Sequence, residues 1–221
     1  MTNEKLNIEL FISSHCPHCA QTLTLLTAAI KDEDIGVLKV INLNTIKNPD
    51  AYPHIRSVPF VQIGDFEFPG EFKKAELDDW VASQKEGNFA SDYFTNLLMN
   101  GQISQAEHFI KRKPDYWLEL TKLAQNSETK MQVRIGITAL FESSSNEIIN
   151  ITQADEIISA LIKASNTTNH AIRVDLVYLL SLLYSAFKAN NKTHVPLADF
   201  IKTTLNDPSD EIKEILEDVV N

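Results

Sequence analysis

The residues best suited to chemistry are the two cysteines of the chain, which two residues separate in the run Cys16-Pro17-His18-Cys19. The run lies between a predicted strand, Leu6–Ile12, and a predicted helix over residues 16–31. This spacing and position are typical of a redox motif. Two cysteines cannot form a disulfide scaffold, so the pattern predicts that they act as a chemical pair. Two buried structural cysteines are the alternative.

The predicted helix start favours different roles for the two thiols. Cys16 is expected at the helix N-terminus, where unpaired N–H groups and the helix dipole stabilise a thiolate. Pro17 at the first helical position costs no hydrogen bond, and His18 can donate to the thiolate and lower the pKa of Cys16. Cys19 is expected to be more buried and less acidic. We therefore expect Cys16 to attack a disulfide and Cys19 to resolve the mixed disulfide.

A metal site is the competing interpretation of the same segment, because His15, Cys16, His18 and Cys19 supply four nitrogen and sulfur groups. Zinc prefers tetrahedral ligands from two separated segments. Four ligands at one helix start cannot easily surround one ion, although an ion bridging two copies stays open. We predict no metal and no small-molecule cofactor.

The first 86 residues alternate between strand and helix patterns. Strands are predicted at Leu6–Ile12, 37–43, Phe60–Ile63 and 66–68, and helices at 16–31 and 73–83. The order β-α-β-β-β-α predicts an α/β domain over residues 1–86, with helices covering a sheet.

Residues 88–221 show helical spacing without a strong strand signal. Helices are predicted at 89–100, 103–111, 115–125, 128–143, 152–165, 169–188, 195–205 and 209–220. The run Ser143-Ser144-Ser145-Asn146 is predicted to end a helix, and Thr152 with Asp155 predicts an N-cap. This part should form an all-α domain.

A weak repeat runs through the helical part. Val133-Arg134, Ile172-Arg173 and Ile212-Lys213 recur at an interval of about 40 residues, which is typical of HEAT-like helical hairpins that stack. An irregular helical bundle is the alternative. In a HEAT-like stack we expect the two arginines to form hydrogen bonds within their own repeats rather than bind a ligand. Residues 171–183 are apolar almost all round and should be buried.

Further motifs accompany the cysteine pair. The segment Ile55-Arg56-Ser57-Val58-Pro59-Phe60 precedes a predicted strand, Asn48-Pro49-Asp50 precedes that segment, and Gly64-Asp65 follows the strand. With these motifs, residues 5–84 resemble the thioredoxin-like superfamily. The resemblance implies that Pro59 is cis and faces the disulfide. It also implies that Val58 offers backbone groups to a substrate strand.

Within that superfamily, residues 8–13 and 25–30 look like the N-terminal redox domain of the alkyl hydroperoxide reductase flavoprotein subunit and like the protein disulfide oxidoreductases. By this resemblance Glu9 occupies the place of an acidic group beneath the active site. A buried carboxyl there would have a raised pKa and could accept the Cys19 proton. A carboxylate that faces water at the sheet is the alternative. Gly70 is followed by Glu71 rather than by the second glycine that glutaredoxins use near glutathione.

The composition limits the partners and the compartment. The chain of 221 residues has 30 acidic and 20 basic residues and a formal net charge of −10, which disfavours nucleic acid and anionic membranes. No apolar run approaches the roughly 18 residues of a membrane span. The N-terminus shows no export signal, so a cytoplasmic protein is expected.

These observations predict a cytosolic thiol–disulfide oxidoreductase. Its partners would be a protein disulfide or thiol substrate, an electron donor or acceptor, and a protein recruited by the helical domain. The alternative is an interaction adaptor whose thioredoxin-like domain is a redox sensor or docking module. A dedicated reductant of peroxiredoxins is suggested by the resemblance alone.

Overall fold

The chain folds into an α/β unit followed by an all-helical unit, as the sequence predicts. The computed structural model describes residues 5–31, 35–46, 52–167 and 169–220. Its internal contacts divide the chain into Met1–Phe89 and Ala90–Asn221. The motif at residues 48–50 lies outside the described residues.

The α/β unit contains four strands and two helices in the predicted order. They are β1 (Leu6–Ile12), α1 (Pro17–Lys31), β2 (Ile35–Asn42), β3 (Phe60–Ile63), β4 (Phe66–Pro69) and α2 (Lys74–Glu86). Helix α2 continues beyond the predicted end at residue 83, because Gly87 supplies the left-handed conformation (φ 78°) that ends it.

The four strands form one mixed sheet in the order β2-β1-β3-β4. Strand β1 is parallel to β2 and antiparallel to β3, and β3 is antiparallel to β4. Because β1 and β2 are parallel neighbours, their carboxyl ends lie at the same edge of the sheet. The loop that begins α1 and the turn that follows β2 therefore start side by side.

Successive side chains along each strand point to opposite faces of the sheet. Ile8 and Leu10 of β1 are buried, and Leu10 lies opposite Val61 of β3. Phe68, opposite Val61 on the neighbouring strand, has its ring centroid 5.0 Å from that of Trp80 in α2. Helix α2 thus covers this face.

Phe89 lies in the aromatic cluster of the α/β unit, although the sequence analysis assigned it to the helical part. Its ring centroid is 4.9 Å from that of Phe66 and 5.0 Å from that of Trp80. The hydrophobic effect favours burying this ring against the cluster. The boundary between the units therefore follows Phe89 rather than residue 86.

The helical unit contains eight α-helices within the described residues. They are α3 (Phe89–Met99), α4 (Ile103–Arg112), α5 (Trp117–Gln125), α6 (Met131–Ile148), α7 (Ala154–Ala164), α8 (His170–Ala189), α9 (Val195–Thr204) and α10 (Asp210–Val220). A 3₁₀ turn, Pro114–Tyr116, precedes α5.

The predicted helix end at Ser143-Ser144-Ser145-Asn146 is wrong, because α6 passes through the run to Ile148. The Ser143 hydroxyl donates a hydrogen bond to the Leu140 carbonyl at 3.1 Å. The side chain of Ser144 is buried in the helix packing. Its hydroxyl lies 3.3 Å from that of Ser143, so these two serines find partners within the helix and do not interrupt it.

The predicted N-cap at Thr152 is also wrong. Helix α7 begins at Ala154, and its N-cap is Gln153, which forms no side-chain capping bond. Asp155 and Glu156 lie in the first turn, where negative charge is favourable near the helix N-terminus. The acidic first turn therefore replaces the expected hydroxyl cap.

The helices pack in two rows. Helix α8 packs between α6 and α10, and α7 packs between α5 and α9. The predicted burial of 171–183 is confirmed for the apolar residues Ile172, Leu176, Val177, Leu179, Leu180 and Leu183. Among the described helices, α8 has the length and the hydropathy (20 residues, 1.3) that a membrane span would need, but half of its apolar window is buried as a core helix.

Arg134 and Arg173, the two arginines of the predicted repeat, differ in whether their hydrogen-bond partners lie in the same helix pair. Arg173 on α8 donates to the Ser165 carbonyl at 3.1 Å, within its own helix pair, and also pairs with Asp207 beyond α9. Arg134 on α6 instead donates to Asp175 on α8 at 2.5 Å. The expected bond within the repeat is therefore wrong for Arg134, because the carboxylate in reach belongs to the next helix pair.

Candidate active site

Cys16 and Cys19 lie at disulfide distance at the start of α1, with their Cα atoms 5.4 Å apart. Pro17 is the first helical residue, so Cys16 is the N-cap, and its Sγ accepts a hydrogen bond from the Cys19 N–H at 3.2 Å. Cys19 is 4 % exposed, whereas Cys16 is half-buried. A substrate sulfur can therefore reach Cys16 more easily than Cys19.

Two asparagines anchor the loop that carries Cys16. The side-chain oxygen of Asn44 accepts hydrogen bonds from the Ser13 hydroxyl at 2.8 Å and from the Ser14 N–H at 2.9 Å. Asn42 donates from Nδ2 to the Ser14 hydroxyl at 3.1 Å. These bonds tie the loop after β1 to the turn after β2, so they fix the backbone that leads into the cysteine pair.

Sequence reasoning missed Asn42 and Asn44. The available signal was their place at the end of the second predicted strand, residues 37–43. Asparagine at such a position commonly bonds to nearby turn backbone. Because β1 and β2 are parallel, that turn lies beside the loop of Cys16.

The Val58–Pro59 loop lies against Cys16. The Val58–Pro59 peptide bond is cis, as the resemblance implied. The Val58 carbonyl oxygen is 3.5 Å from Cys16 Sγ, although 42 positions separate the two residues. Pro59 is buried, and its carbonyl accepts a hydrogen bond from the Gly70 N–H at 2.9 Å. The fold thus brings together the two motifs that the sequence analysis singled out.

Val58 also belongs to an apolar cluster at this end of the sheet. Its buried centre is Phe11, Ile41 and Phe60, and the partly buried residues packed against it are Leu43, Ile46, Tyr52, Ile55 and Val58. The ring centroids of Phe11 and Tyr52 are 4.9 Å apart. The loop that contacts Cys16 therefore carries partly exposed apolar side chains, which an unfolded or extended substrate segment could cover.

His18 projects from the motif into solvent and lies near an acidic residue. Its Nδ1 is 3.7 Å from a carboxylate oxygen of Glu71, and both side chains are exposed. Glu71 was noted in the sequence only for the missing Gly-Gly pair, not for a place at the site. Glu71 is therefore a second partner for the His18 ring, which the sequence analysis expected to donate to Cys16.

Glu9 does not lie in the buried place that the resemblance implied. Its side chain is 35 % exposed, and its carboxylate accepts a hydrogen bond from Lys39 Nζ at 2.6 Å. That hydrogen bond, and then the negative charge of Glu9, raise the pKa of Lys39. The physical reason is register, since Glu9 of β1 lies directly opposite Lys39 of β2. The contacts favour the alternative of a carboxylate that faces water at the sheet.

Metal binding would require several ligand side chains to lie close together. In that part of the chain no group of three or more His, Cys, Asp and Glu side chains is placed to hold a metal ion. His15 and His18 are both exposed beside the cysteine pair. The arrangement around Cys16 is suited to sulfur exchange, with one accessible and one buried sulfur joined across a single helical turn.

Two comparisons with known proteins found no match to this chain. No protein-family model matches the chain. No curated protein matches it at a significant level.

Proposed function

We propose that the protein is a thiol–disulfide oxidoreductase that works through Cys16 and Cys19. The observation that carries the proposal is the cysteine pair at the start of α1 with the Val58 carbonyl 3.5 Å from Cys16 Sγ. One sulfur is accessible, the other is buried, and a loop with apolar side chains adjoins the accessible one. This combination supports exchange with a protein disulfide rather than a purely structural bridge.

The α/β unit supports a thioredoxin-like assignment, which is part of this proposal. Its element order is the one that the sequence pattern predicted, and the Val58–Pro59 bond is cis, as the resemblance implied. The two rows of packed helices in the second unit likewise support a HEAT-like assignment. We further propose that the protein acts in the cytoplasm and that the helical unit recruits a protein partner.

In the first step the Cys16 thiolate attacks one sulfur of a substrate disulfide. The bond between the substrate sulfurs breaks, a Cys16–substrate mixed disulfide forms, and one substrate sulfur leaves as a thiolate that takes up a proton. The free N–H groups of the first turn of α1 stabilise the Cys16 thiolate before attack. The backbone of Val58, next to Pro59, holds the substrate strand beside Cys16.

In the second step Cys19 loses its proton and attacks Cys16 Sγ. The mixed disulfide breaks, the second substrate sulfur leaves as a thiol, and the Cys16–Cys19 disulfide forms. Two electrons have passed from the protein dithiol to the substrate. An external dithiol must then return two electrons to the pair, and the reverse reaction follows the same steps with an oxidant.

The experiment is to trap the intermediate with Cys19→Ser. This variant, mixed with a disulfide-containing protein, should accumulate a mixed disulfide at Cys16 that intact-mass spectrometry detects. The matched control is Cys16→Ser, which should trap little because the remaining thiol is buried. Equal adducts from both variants, or none from either, would contradict the proposal. Partner affinity that changes with oxidation, without turnover, would favour the adaptor alternative.

A further inference from the structure

Two neighbouring hollows along α6, α8 and α10 together form what we call the groove. Their volumes are about 360 Å³ and 440 Å³. Tyr178 and Ile215 line both hollows, so the two share one wall. The proposed redox chemistry uses no residue of this groove.

The groove presents apolar side chains to solvent. Met131 and Ile135, which lie one helical turn apart on α6, are 69 % and 58 % exposed. Val174, Leu182 and Ile215 on the facing helices are only partly buried and line the same groove. An apolar strip of this kind on a folded unit is typical of a site that another chain covers.

The groove is also strongly acidic. Its lining includes five carboxylates, which are Glu142, Asp175, Glu211, Glu214 and Asp218. The guanidinium of Arg134 is the one lysine or arginine head group among the lining residues, and it is already paired with Asp175. His170 contacts Glu211 at 3.3 Å, and Lys188 at one end donates to the Val219 carbonyl at 2.9 Å. The groove therefore carries an excess of negative charge beside its apolar strip.

We propose that this groove binds a basic amphipathic helix of a partner protein. The apolar face of that helix would cover Met131, Ile135 and Ile215, and its lysines and arginines would face the carboxylates. Charge complementarity selects this occupant, because an acidic groove attracts a basic segment and repels nucleic acid or an anionic membrane. A second copy would bring its own formal charge of −10 toward the same acidic groove.

The inference rests on the proposed function in one respect, namely that the bound partner is a substrate or electron donor of the cysteine pair. Holding a partner by a separate helix raises the effective concentration of its sulfur at Cys16. The binding itself needs no cysteine chemistry, so the two proposals can fail separately.

The probe is a fluorescent synthetic peptide of about 18 residues, or five helical turns, with leucine along one face and lysine on the other. Anisotropy titration with the full-length protein should show saturable binding. The control peptide has the same pattern with glutamate in place of lysine, and it should not bind. No saturable binding of the lysine peptide, or equal binding of both peptides, would overturn the proposal.

Matched variants distinguish peptide binding in the groove from nonspecific electrostatic attraction to an acidic protein. Ile135→Lys places a cation in the groove and should weaken binding about tenfold or more. Val195→Lys makes the same charge change on α9, where Val195 is 62 % exposed outside the groove, and should weaken binding less than about twofold. Equal loss in both variants would show bulk electrostatics and overturn the proposal. Glu214→Gln against Glu217→Gln gives a second pair on α10, because Glu214 lines the groove and Glu217 does not.

Two further measurements distinguish a failure of the redox proposal from a failure of the groove proposal. Reduction of a small aromatic disulfide by Ile135→Lys should proceed at the wild-type rate, because a small substrate needs no groove. If neither the wild type nor the variant reduces the disulfide, but the lysine peptide still binds in the groove, the redox proposal is wrong and the groove proposal is supported. A concentration-dependent dimer in sedimentation that Ile135→Lys abolishes would assign the groove to a second copy and overturn the proposal.

Discussion

Cys16 and Cys19 differ in exposure because the helix begins between them. Cys16 is the N-cap and lies at the end of the loop, whereas Cys19 is in the first turn and faces the sheet side of α1 among its buried residues. The hydrogen bond from the Cys19 N–H to Cys16 Sγ shows that helix geometry already directs a backbone donor at the sulfur that would carry the negative charge. The division of roles between the two thiols thus follows from their positions.

The anchoring of the Cys16 loop gives a prediction for Asn44. Asn44→Ala removes the acceptor for Ser13 and Ser14, so the loop should hold Cys16 less firmly. We expect the rate of disulfide exchange to fall about threefold to tenfold, since exchange depends on the orientation of the attacking sulfur. Stopped-flow kinetics with a small disulfide measures the rate.

The matched control for that prediction is Asn88→Ala in the same unit. Asn88 is exposed, and its side chain donates only a long hydrogen bond, at 3.4 Å, to Glu86. This variant should exchange at the wild-type rate. Equal rates in the Asn44 variant and the wild type would show that the asparagine does not position Cys16.

At the residue scale, motif spacing could predict Cys16 and Cys19, and the resemblance led to Val58 and Pro59. Motif spacing could not predict the contact of Glu71 with His18, because it joins the first turn of α1 to the exposed loop after β4. Glu9 shows a second limit to what the sequence can predict. Strand alternation tells which residues share a face, but the partner of Glu9 depends on the register of β1 against β2, which places Lys39 opposite it.

Helices α3 and α6 approach each other closely at a glycine. A Cβ added at Gly136 would lie 2.9 Å from Leu98 Cδ2 and 3.2 Å from Leu98 Cβ. Alanine favours a helix over glycine by about 1 kcal/mol. Even so, we expect Gly136→Ala to lower the free energy of unfolding by about 1–2 kcal/mol, because overpacking must move Leu98.

Urea denaturation measures this effect, and a second substitution isolates its cause. Leu98→Ala combined with Gly136→Ala removes the nearest contact, at Leu98 Cδ2, so the two changes together should cost less than the sum of the single changes. A Gly136→Ala variant that is more stable than the wild type would mean that the helices separate without cost.

The buried carboxylate between α9 and α10 gives a pH-dependent prediction. Burial alone would raise the pKa of Asp207, but the hydrogen bonds from the Ser209 N–H and Arg173, with the charge of Arg173, lower it overall. The stabilisation is therefore present above the unfolded pKa of about 3.9 and is lost as the pH falls through the lower folded pKa. Asp207→Asn should cost about 1–3 kcal/mol at pH 7.

The measurement is urea unfolding of the wild type and the variant at neutral pH and near pH 3. The difference between them should shrink at the acidic pH, because Asp207 then takes up a proton on unfolding, which stabilises the unfolded wild type. Asp155→Asn is the control, since that side chain is exposed and contacts His194 at the surface. A difference that is equal at both pH values would contradict the assigned cause.

At the scale of elements, hydrophobic periodicity could predict the existence of nearly every helix and strand but not their ends. The serine run of α6 illustrates the reason. Serine breaks a helix only where its hydroxyl bonds to non-helical backbone, and here tertiary packing keeps Ser144 inside the helix. The end of α6 at Ile148 depends on neighbours that the local sequence does not contain.

At the scale of the whole molecule, the spacing of apolar residues along the chain could predict an α/β unit followed by a helical unit, and both are observed. The boundary moved to Phe89 because one aromatic ring joins the cluster around Trp80. The excess of acidic residues was predicted to disfavour nucleic acid and anionic membranes. What composition could not predict is that five carboxylates gather beside exposed Met131 and Ile135 in one groove.

The central claim is that the two cysteines form a reversible redox pair, and its most direct test is their redox equilibrium. The full-length protein is equilibrated in a series of thiol–disulfide buffers, alkylated, and analysed by intact-mass spectrometry. We expect one reversible two-electron transition. A potential near the thioredoxin value of about −270 mV would indicate a reductant, and one near about −120 mV an oxidant or isomerase. A pair that never closes across the buffer series would contradict the account.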